Sequence, residues 1–376
     1  MKINRIELFE VAVPFVKPYR LSKVYGTIHN ARAVILKLET DTGLTGYGEA
    51  DPRPPFTEES IASVMAVCKE ILCPRLLGRD PRERAAIEAE LDAVLQGNLT
   101  ARGAVNMALY DLLGKACHLP VHTLLGGLLH KKLPLLWPLG NAGGQESITE
   151  IEQKRLEGYQ TFMLKMGAQP VRDEIQRVRQ VRSHFNDAVF LIADANQGWE
   201  EGEALQFVQG TRDCPVDLLE QPLAYWNLEG HRRIRQRSVC PLSADESLTS
   251  PQQAAALIRT EAVSGFSLKI SKNGGLDRCR QIGFTAHSFG LRCLMNSMLE
   301  FGITQAALLQ LGCTLPNLYP FGHAYMSVLR LSDDMTDFAA NIDNGEVCVP
   351  DKPGLGITLF ENKLKDFTQG HVELKA

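Results

Sequence analysis

Phe162-Met163-Leu164-Lys165-Met166-Gly167 is the first of five short apolar runs that each close on an ionisable residue. The others are Phe190-Leu191-Ile192-Ala193-Asp194, Val216-Asp217-Leu218-Leu219-Glu220, Leu242-Ser243-Ala244-Asp245 and Gly265-Phe266-Ser267-Leu268-Lys269. The closing residues lie 29, 26, 25 and 24 positions apart, close to the roughly 30 residues of one strand-plus-helix unit. Short apolar runs followed by turn chemistry read as buried parallel strands. In a (β/α) barrel the carboxyl ends of such strands form the active-site face, so the five groups are expected at one mouth.

One further apolar run, Leu133 to Leu139, precedes them and is followed by a helical pattern from about Glu146 to Leu156. If it is barrel strand one, the five residues stand on strands two to six. Strands two and six of an eight-membered ring are half a turn apart, so Lys165 and Lys269 face each other with three acids on the arc between them. Beyond Lys269, Leu291 to Met295 reads as a seventh strand, followed by Glu300, a helix through Leu311 and a loop from Pro316 to Tyr325.

The chain of 376 residues exceeds the usual single-core limit and favours two units. Hydrophobic residues make up 44% and charged residues 22%, the composition of an ordinary globular protein. A net charge of −4 supplies no basic field for nucleic acid. No apolar run approaches the roughly 20 residues of a membrane helix, and the N-terminus has no signal-peptide core. A cytoplasmic enzyme acting on a small molecule, assembled as a symmetric homo-oligomer, is therefore expected. Nine scattered cysteines without metal-type spacing argue for reduced, structural thiols.

Residues 1–125 read as an α+β unit. Strands are expected at Ile3 to Val13, Ala33 to Thr40 and Leu44 to Glu49, the last two joined by the Asp41-Thr42-Gly43 turn. Helices follow over Glu58 to Leu72, from Asp80-Pro81, and over Ala101 to Cys117. Two irregular stretches, Pro14 to Asn30 and Asp51 to Thr57, have the length of functional loops. The turn-rich end, from about 340 to 376, is expected to return to this unit, leaving 126–339 as the barrel.

These residues resemble the enolase superfamily, and within it the muconate-lactonizing subgroup. The resemblance rests on Asp41-Thr42-Gly43-Leu44-Thr45-Gly46-Tyr47-Gly48-Glu49, Ala108-Leu109-Tyr110-Asp111, Asp194-Ala195-Asn196, Glu220-Gln221-Pro222, Asp245-Glu246-Ser247 and Pro353-Gly354-Leu355-Gly356, in that order. It implies an α/β fold, a modified (β/α)7β TIM-type barrel under an N-terminal α+β capping domain. It also implies Mg²⁺ on Asp194, Glu220 and Asp245, with Mn²⁺ as a substitute, and acid/base roles for Lys165 and Lys269. Three carboxylates without Cys or His are hard ligands suited to such ions.

The chain departs from that pattern twice. The subgroup's Lys-x-Lys on strand two is Met163-Leu164-Lys165, so the first lysine is missing and Lys272 is a candidate substitute. Where similar dipeptide epimerases carry Asp-x-Asp for an ammonium group, the expected counterpart is Tyr319-Pro320-Phe321. Tyr319 and Phe321 are thus expected against an apolar or quaternary ammonium substituent, with Phe56, Tyr19 and Tyr25 from the capping loops. Asn196 and Glu300 are further candidates for substrate contact, whereas His287, His323, Trp137 and Trp199 read as structural. The expected reaction is Mg²⁺-dependent abstraction of a carboxylate's α-proton, ending in racemisation or epimerisation of an N-substituted amino acid or betaine. β-Elimination, muconate-type cycloisomerisation and metal-dependent binding without turnover are the alternatives.

Overall fold

Strict alternation along the first strands divides the N-terminal sheet between two cores. The computed structural model describes residues 1–376, with β1 (Ile3–Arg20), β2 (Thr27–Thr40) and β3 (Thr45–Ala50) forming an antiparallel meander. Even-numbered Ile6, Leu8, Val34, Leu36 and Leu38 pack on the helices of the same unit, with Val64, Leu72 and Leu109. Odd-numbered Phe9, Val11, Val13, Ala33 and Ile35 belong instead to the core shared with the barrel. Side chains two apart share a face, so one sheet is glued on both sides and the two units have no dry gap between them.

The long stretch from Pro14 to Asn30 is mostly strand rather than loop. β1 runs on to Arg20 and β2 starts at Thr27, with the register slipping between Pro14 and Tyr19, leaving only Leu21 to Gly26 as the turn. Pro14, Lys17 and Pro18 break the alternation that marks a strand in sequence, yet proline is tolerated in extended backbone where its missing N–H faces no partner. The second helix also begins later than its Asp80-Pro81 signal, at Arg84. Asp80 instead accepts the Arg82 backbone N–H and the Arg82 guanidinium.

The barrel strands follow a short β4 (Lys132–Pro134): β5 (Leu136–Leu139), β6 (Thr161–Lys165), β7 (Phe190–Asp194), β8 (Leu218–Glu220), β9 (Leu242–Ala244), β10 (Gly265–Leu268) and β11 (Arg292–Met295). They are hydrogen-bonded in chain order as one parallel sheet. The expected first strand is thus split, β4 turning away to pair with β13 (Glu346–Cys348), which pairs in turn with β12 (Ile342–Asp343). Residues 317–324, expected as a loop, close the ring. Leu318 bridges in parallel to Cys293 of β11, and His323 bridges in parallel to Leu135 just before β5. Tyr319 N–H donates to the Cys293 carbonyl, and Leu136 N–H to that of His323.

The C-terminal segment therefore serves the barrel before it serves the cap. Only β14 (Thr368–Lys375), after the helix Glu361–Phe367, joins the N-terminal sheet, antiparallel to β1. No helix is long and apolar enough to cross a membrane.

Candidate active site

The parallel register brings the acidic and basic strand ends together. Lys165 lies opposite Asp194 and Asp194 opposite Glu220, on β6, β7 and β8. Asp245 and Lys269 follow the last residues of β9 and β10. Asp194, Glu220 and Asp245 are completely buried. Four of the nine non-glycine residues with left-handed backbone sit at the mouth: Asn196 (φ 41°), Gln197 (φ 62°), Gln221 (φ 34°) and Leu299 (φ 67°). Such strain is held in place by surrounding contacts and gathers at working sites. The Gln221 Oε1, for example, accepts from the Asp245 and Ser247 backbone N–H groups, at 2.9 and 3.1 Å.

The outer acids of the arc each meet a lysine. Lys165 Nζ donates to Asp194 Oδ2 and, at 3.1 Å, to Asn196 Oδ1. Lys269 Nζ donates to Asp245 Oδ2 at 2.6 Å, and Lys272 Nζ lies 3.1 Å from Asp245 Oδ1. Burial pushes the Asp245 carboxyl upward, but Lys269 and Lys272 outweigh it and hold it below the usual range. Burial alone would lower Lys165 and Lys269; the facing acids, led by Asp194 and Asp245 respectively, leave both raised. For Lys272 burial prevails over Asp245 and the result is a lowered pKa.

Glu220, in the middle, has no lysine in contact. Its Oε1 accepts from Asn296 Nδ2 at 2.6 Å, and its buried Oε2 has no partner. Burial and the charges of Asp194 and Asp245 push its carboxyl well above the ordinary range. Three buried carboxylates on adjacent strands, with an unsatisfied oxygen on the central one, are chemically suited to a hard divalent cation. As placed, Asp194 and Asp245 turn to their lysines and no three acidic side chains converge on one cation position. Binding such an ion therefore requires these side chains to turn toward a common point.

Above the arc lies a cavity of about 550 Å³, counting its open mouth, with Lys165 and Lys269 both on its wall. The cap closes over it. Ser22 Oγ donates to the Asn196 carbonyl at 3.1 Å, and Tyr25 OH donates to Glu246 Oε1 at 3.0 Å while accepting from Gln197 Nε2. Phe56 lies beside Tyr25, with ring centres 5.6 Å apart, and its face meets Lys269 Nζ at 4.3 Å. Arg53 Nε, from the same Asp51 to Thr57 loop, donates to the Met298 carbonyl. Tyr19, Tyr25, Phe56 and Asn196 thus reach the cavity.

Tyr319, Phe321 and Glu300 do not. Tyr319 and Phe321 stack at 4.9 Å and Phe321 meets Phe190, the first residue of β7, at 5.7 Å. The Tyr319 hydroxyl presses on Gly265, the first residue of β10. These rings plug the amino-terminal floor of the barrel, a full strand length from the mouth. The closing strand reaches the cavity only at Ala324 and Met326, both apolar. Glu300 is buried behind the wall, where it accepts from Ser297 Oγ, the Met298 N–H and Gln305 Nε2; it shapes the turn after β11 and is not available to substrate.

Trp137, Trp199, His287 and His323 lie outside the cavity. Trp137 Nε1 donates to Glu150 and Trp199 Nε1 to Glu174. His323 Nδ1 accepts the Met295 N–H inside the barrel closure, and His287 is exposed at a helix end. Asn296, overlooked in the sequence, follows the last residue of β11 and so obeys the same strand-end rule as the five ionisable groups.

Comparison with known proteins places this geometry. Residues 5–126 match the model described as mandelate racemase / muconate lactonizing enzyme, N-terminal domain, and residues 146–363 match enolase C-terminal domain-like. The L-Ala-D/L-Glu epimerase of Bacillus subtilis is 32% identical over 361 residues, 95% of this chain and 97% of the relative. The structure of 2-chloromuconate cycloisomerase from Rhodococcus opacus 1CP superposes with a TM-score of 0.93 at 32% identity, covering 98% of this chain and 100% of that one. The structure of N-succinyl Arg/Lys racemase from Bacillus cereus gives 0.95 at 27% identity, covering 100% of both chains.

Proposed function

The chain belongs to the mandelate racemase and muconate lactonizing enzyme family of the enolase superfamily, and from that premise we propose that it removes the proton α to a substrate carboxylate and returns it at the same carbon. The observation that carries this reading is the opposition of Lys165 and Lys269 on one cavity, with four strand-to-strand steps between β6 and β10. Two amines on opposite faces of one carbon are what racemisation or epimerisation requires.

An α-proton beside a carboxylate is very weakly acidic, because its loss adds a second negative charge. Mg²⁺, or Mn²⁺ in its place, held by Asp194, Glu220 and Asp245, would supply the positive charge that offsets it. The lysine that takes the proton must itself be neutral. Burial, the largest single influence on each amine, favours that neutral form, and the charge of a cation held by the three acids would favour it further. The lysine on the other face, still charged, delivers a proton from its side. Asn196 holds Lys165 in line, and Tyr25 and Phe56 exclude water from above.

The wall also narrows the substrate. Ala324 and Met326 offer no carboxylate for a free ammonium group, and the rest of the lining is chiefly apolar. This supports an N-acylated or quaternary amino acid over a dipeptide with a free amino end. A second reading, muconate-type cycloisomerisation, is favoured by the similarity to the chloromuconate enzyme; it needs proton delivery on one face and leaves one lysine without a role. Incubation with N-acyl amino acids of either hand, in D₂O with Mg²⁺, tests the choice. Deuterium at Cα with loss of optical rotation is the expected result. Turnover of cis,cis-muconate without any Cα exchange would replace it with the second reading.

A further inference from the structure

Tyr19 is the last residue but one of the cap strand β1, and its side chain lines the cavity together with Met163 and Lys165. Its ring is clamped: the Arg330 guanidinium stacks over it at 4.4 Å and over Trp137 at 4.6 Å, and also donates to the Pro138 carbonyl. Only 4% of Tyr19 is exposed, and its hydroxyl has no hydrogen-bond partner in the protein. Most buried polar atoms find a partner, and leaving one without opposes folding. A rigid ring presenting an unpaired hydroxyl beside a cavity is therefore a donor waiting for a ligand.

The neighbouring strand shows which ligand group is short of a donor. Met163 and Lys165 are two apart on β6, so their side chains leave the same face. Met163 offers the cavity a thioether and no N–H, so on this flank Lys165 is the strand's one donor, and it is engaged by Asp194 and Asn196. The charges that act most on the Tyr19 hydroxyl include those of Lys165 and Asp194, and burial keeps the phenol protonated, its pKa raised. A neutral phenol adds a donor here without adding another buried charge.

We propose that the Tyr19 hydroxyl donates a hydrogen bond to a carboxylate oxygen of the bound substrate on the Lys165 side, in place of the donor that Met163 does not provide. This rests on the α-proton chemistry proposed above. As the proton leaves, negative charge grows on the carboxylate oxygens and the bond strengthens, so the contribution belongs to the transition state more than to binding.

Tyr19→Phe removes the hydroxyl and nothing else. The measurement is Cα–H exchange in D₂O by NMR, with Mg²⁺ and a panel of N-acetyl and N-succinyl amino acids, alongside thermal unfolding without ligand. The expected result is a fall in kcat on the order of 10²-fold, KM nearly unchanged, and an equal or higher Tm. Adding Met163→Lys to Tyr19→Phe is expected to restore part of the lost rate. Exchange in Tyr19→Phe at the wild-type rate overturns this inference alone. A loss of rate that follows a lowered Tm also overturns it, since the hydroxyl would then serve the fold. Absence of exchange from the wild type across the panel overturns the reaction and this inference together.

Discussion

The two flanks of the mouth are built differently around the same pair of charges. On one, Asp245 is met by both Lys269 and Lys272, Phe56 covers the Lys269 amine, and Lys272 also donates to the Asp245 and Leu248 carbonyls. On the other, Asp194 has Lys165 alone, with Met163 where a second cation could stand. One lysine is embedded in a network, while the other is held by Asp194 and Asn196 and shares its wall with an unpaired phenol. The lesson is that two opposed amines need not be equivalent. A site can share one carbon between a strongly fixed amine and a lightly fixed one.

The largest expected effect separates the flanks outright. Lys165→Ala and Lys269→Ala should each reduce exchange by about 10²–10⁴-fold, and each for substrates of one hand only, as read by NMR on the separate enantiomers. Equal losses for both hands in both variants would merge the flanks into a single base. Next, Lys272→Met should destabilise the protein by about 3–5 kcal/mol in urea unfolding, because it leaves Asp245 and two backbone carbonyls short of a buried cation. Lys165→Met leaves the buried Asp194 with no lysine at all and should cost as much; a much smaller loss there would mark Lys165 as the more lightly held of the two.

Between the flanks, Asn296→Ala should weaken Mn²⁺ binding about 10–100-fold by freeing Glu220 Oε1, with titration by calorimetry as the check. The smallest effect is a shift in pH dependence. A ring face stabilises the charged amine, so Phe56→Leu should make Lys269 easier to deprotonate and move the rising, low-pH limb of the reaction that begins at Lys269 down by about 0.5–1 pH unit. The reaction that begins at Lys165, which has no aromatic face over its amine, should keep its limb.

The five ionisable groups were legible because each ends an apolar run and the runs recur at one spacing, which is enough to assign consecutive strands. The structure sets those groups side by side in that order. Asn296 was equally open to the rule but carries no charge to draw the eye. Tyr319 and Phe321 were misplaced because the eighth strand has no ladder of its own. It is held by bridges at Leu318 and His323, and nothing local tells which of its residues reach the mouth. A slip of five positions exchanges Ala324 for Tyr319, and with it the floor for the cavity. Glu300 failed for another reason: nearness in sequence to a strand end does not say whether a carboxylate faces the cavity or folds back onto its own turn. The length of β1 was hidden by its prolines, which disturb the pattern without disturbing the extended backbone.

The antiparallel pairing of β14 with β1 ties the two ends of the chain into one sheet. During synthesis β1 to β3 are made before the barrel, yet the outer edge of β1 stays bare until Thr368–Lys375 has been made. An unpaired strand edge is a template for wrong partners, so the nascent cap is exposed to misassembly for as long as it takes to translate the whole barrel.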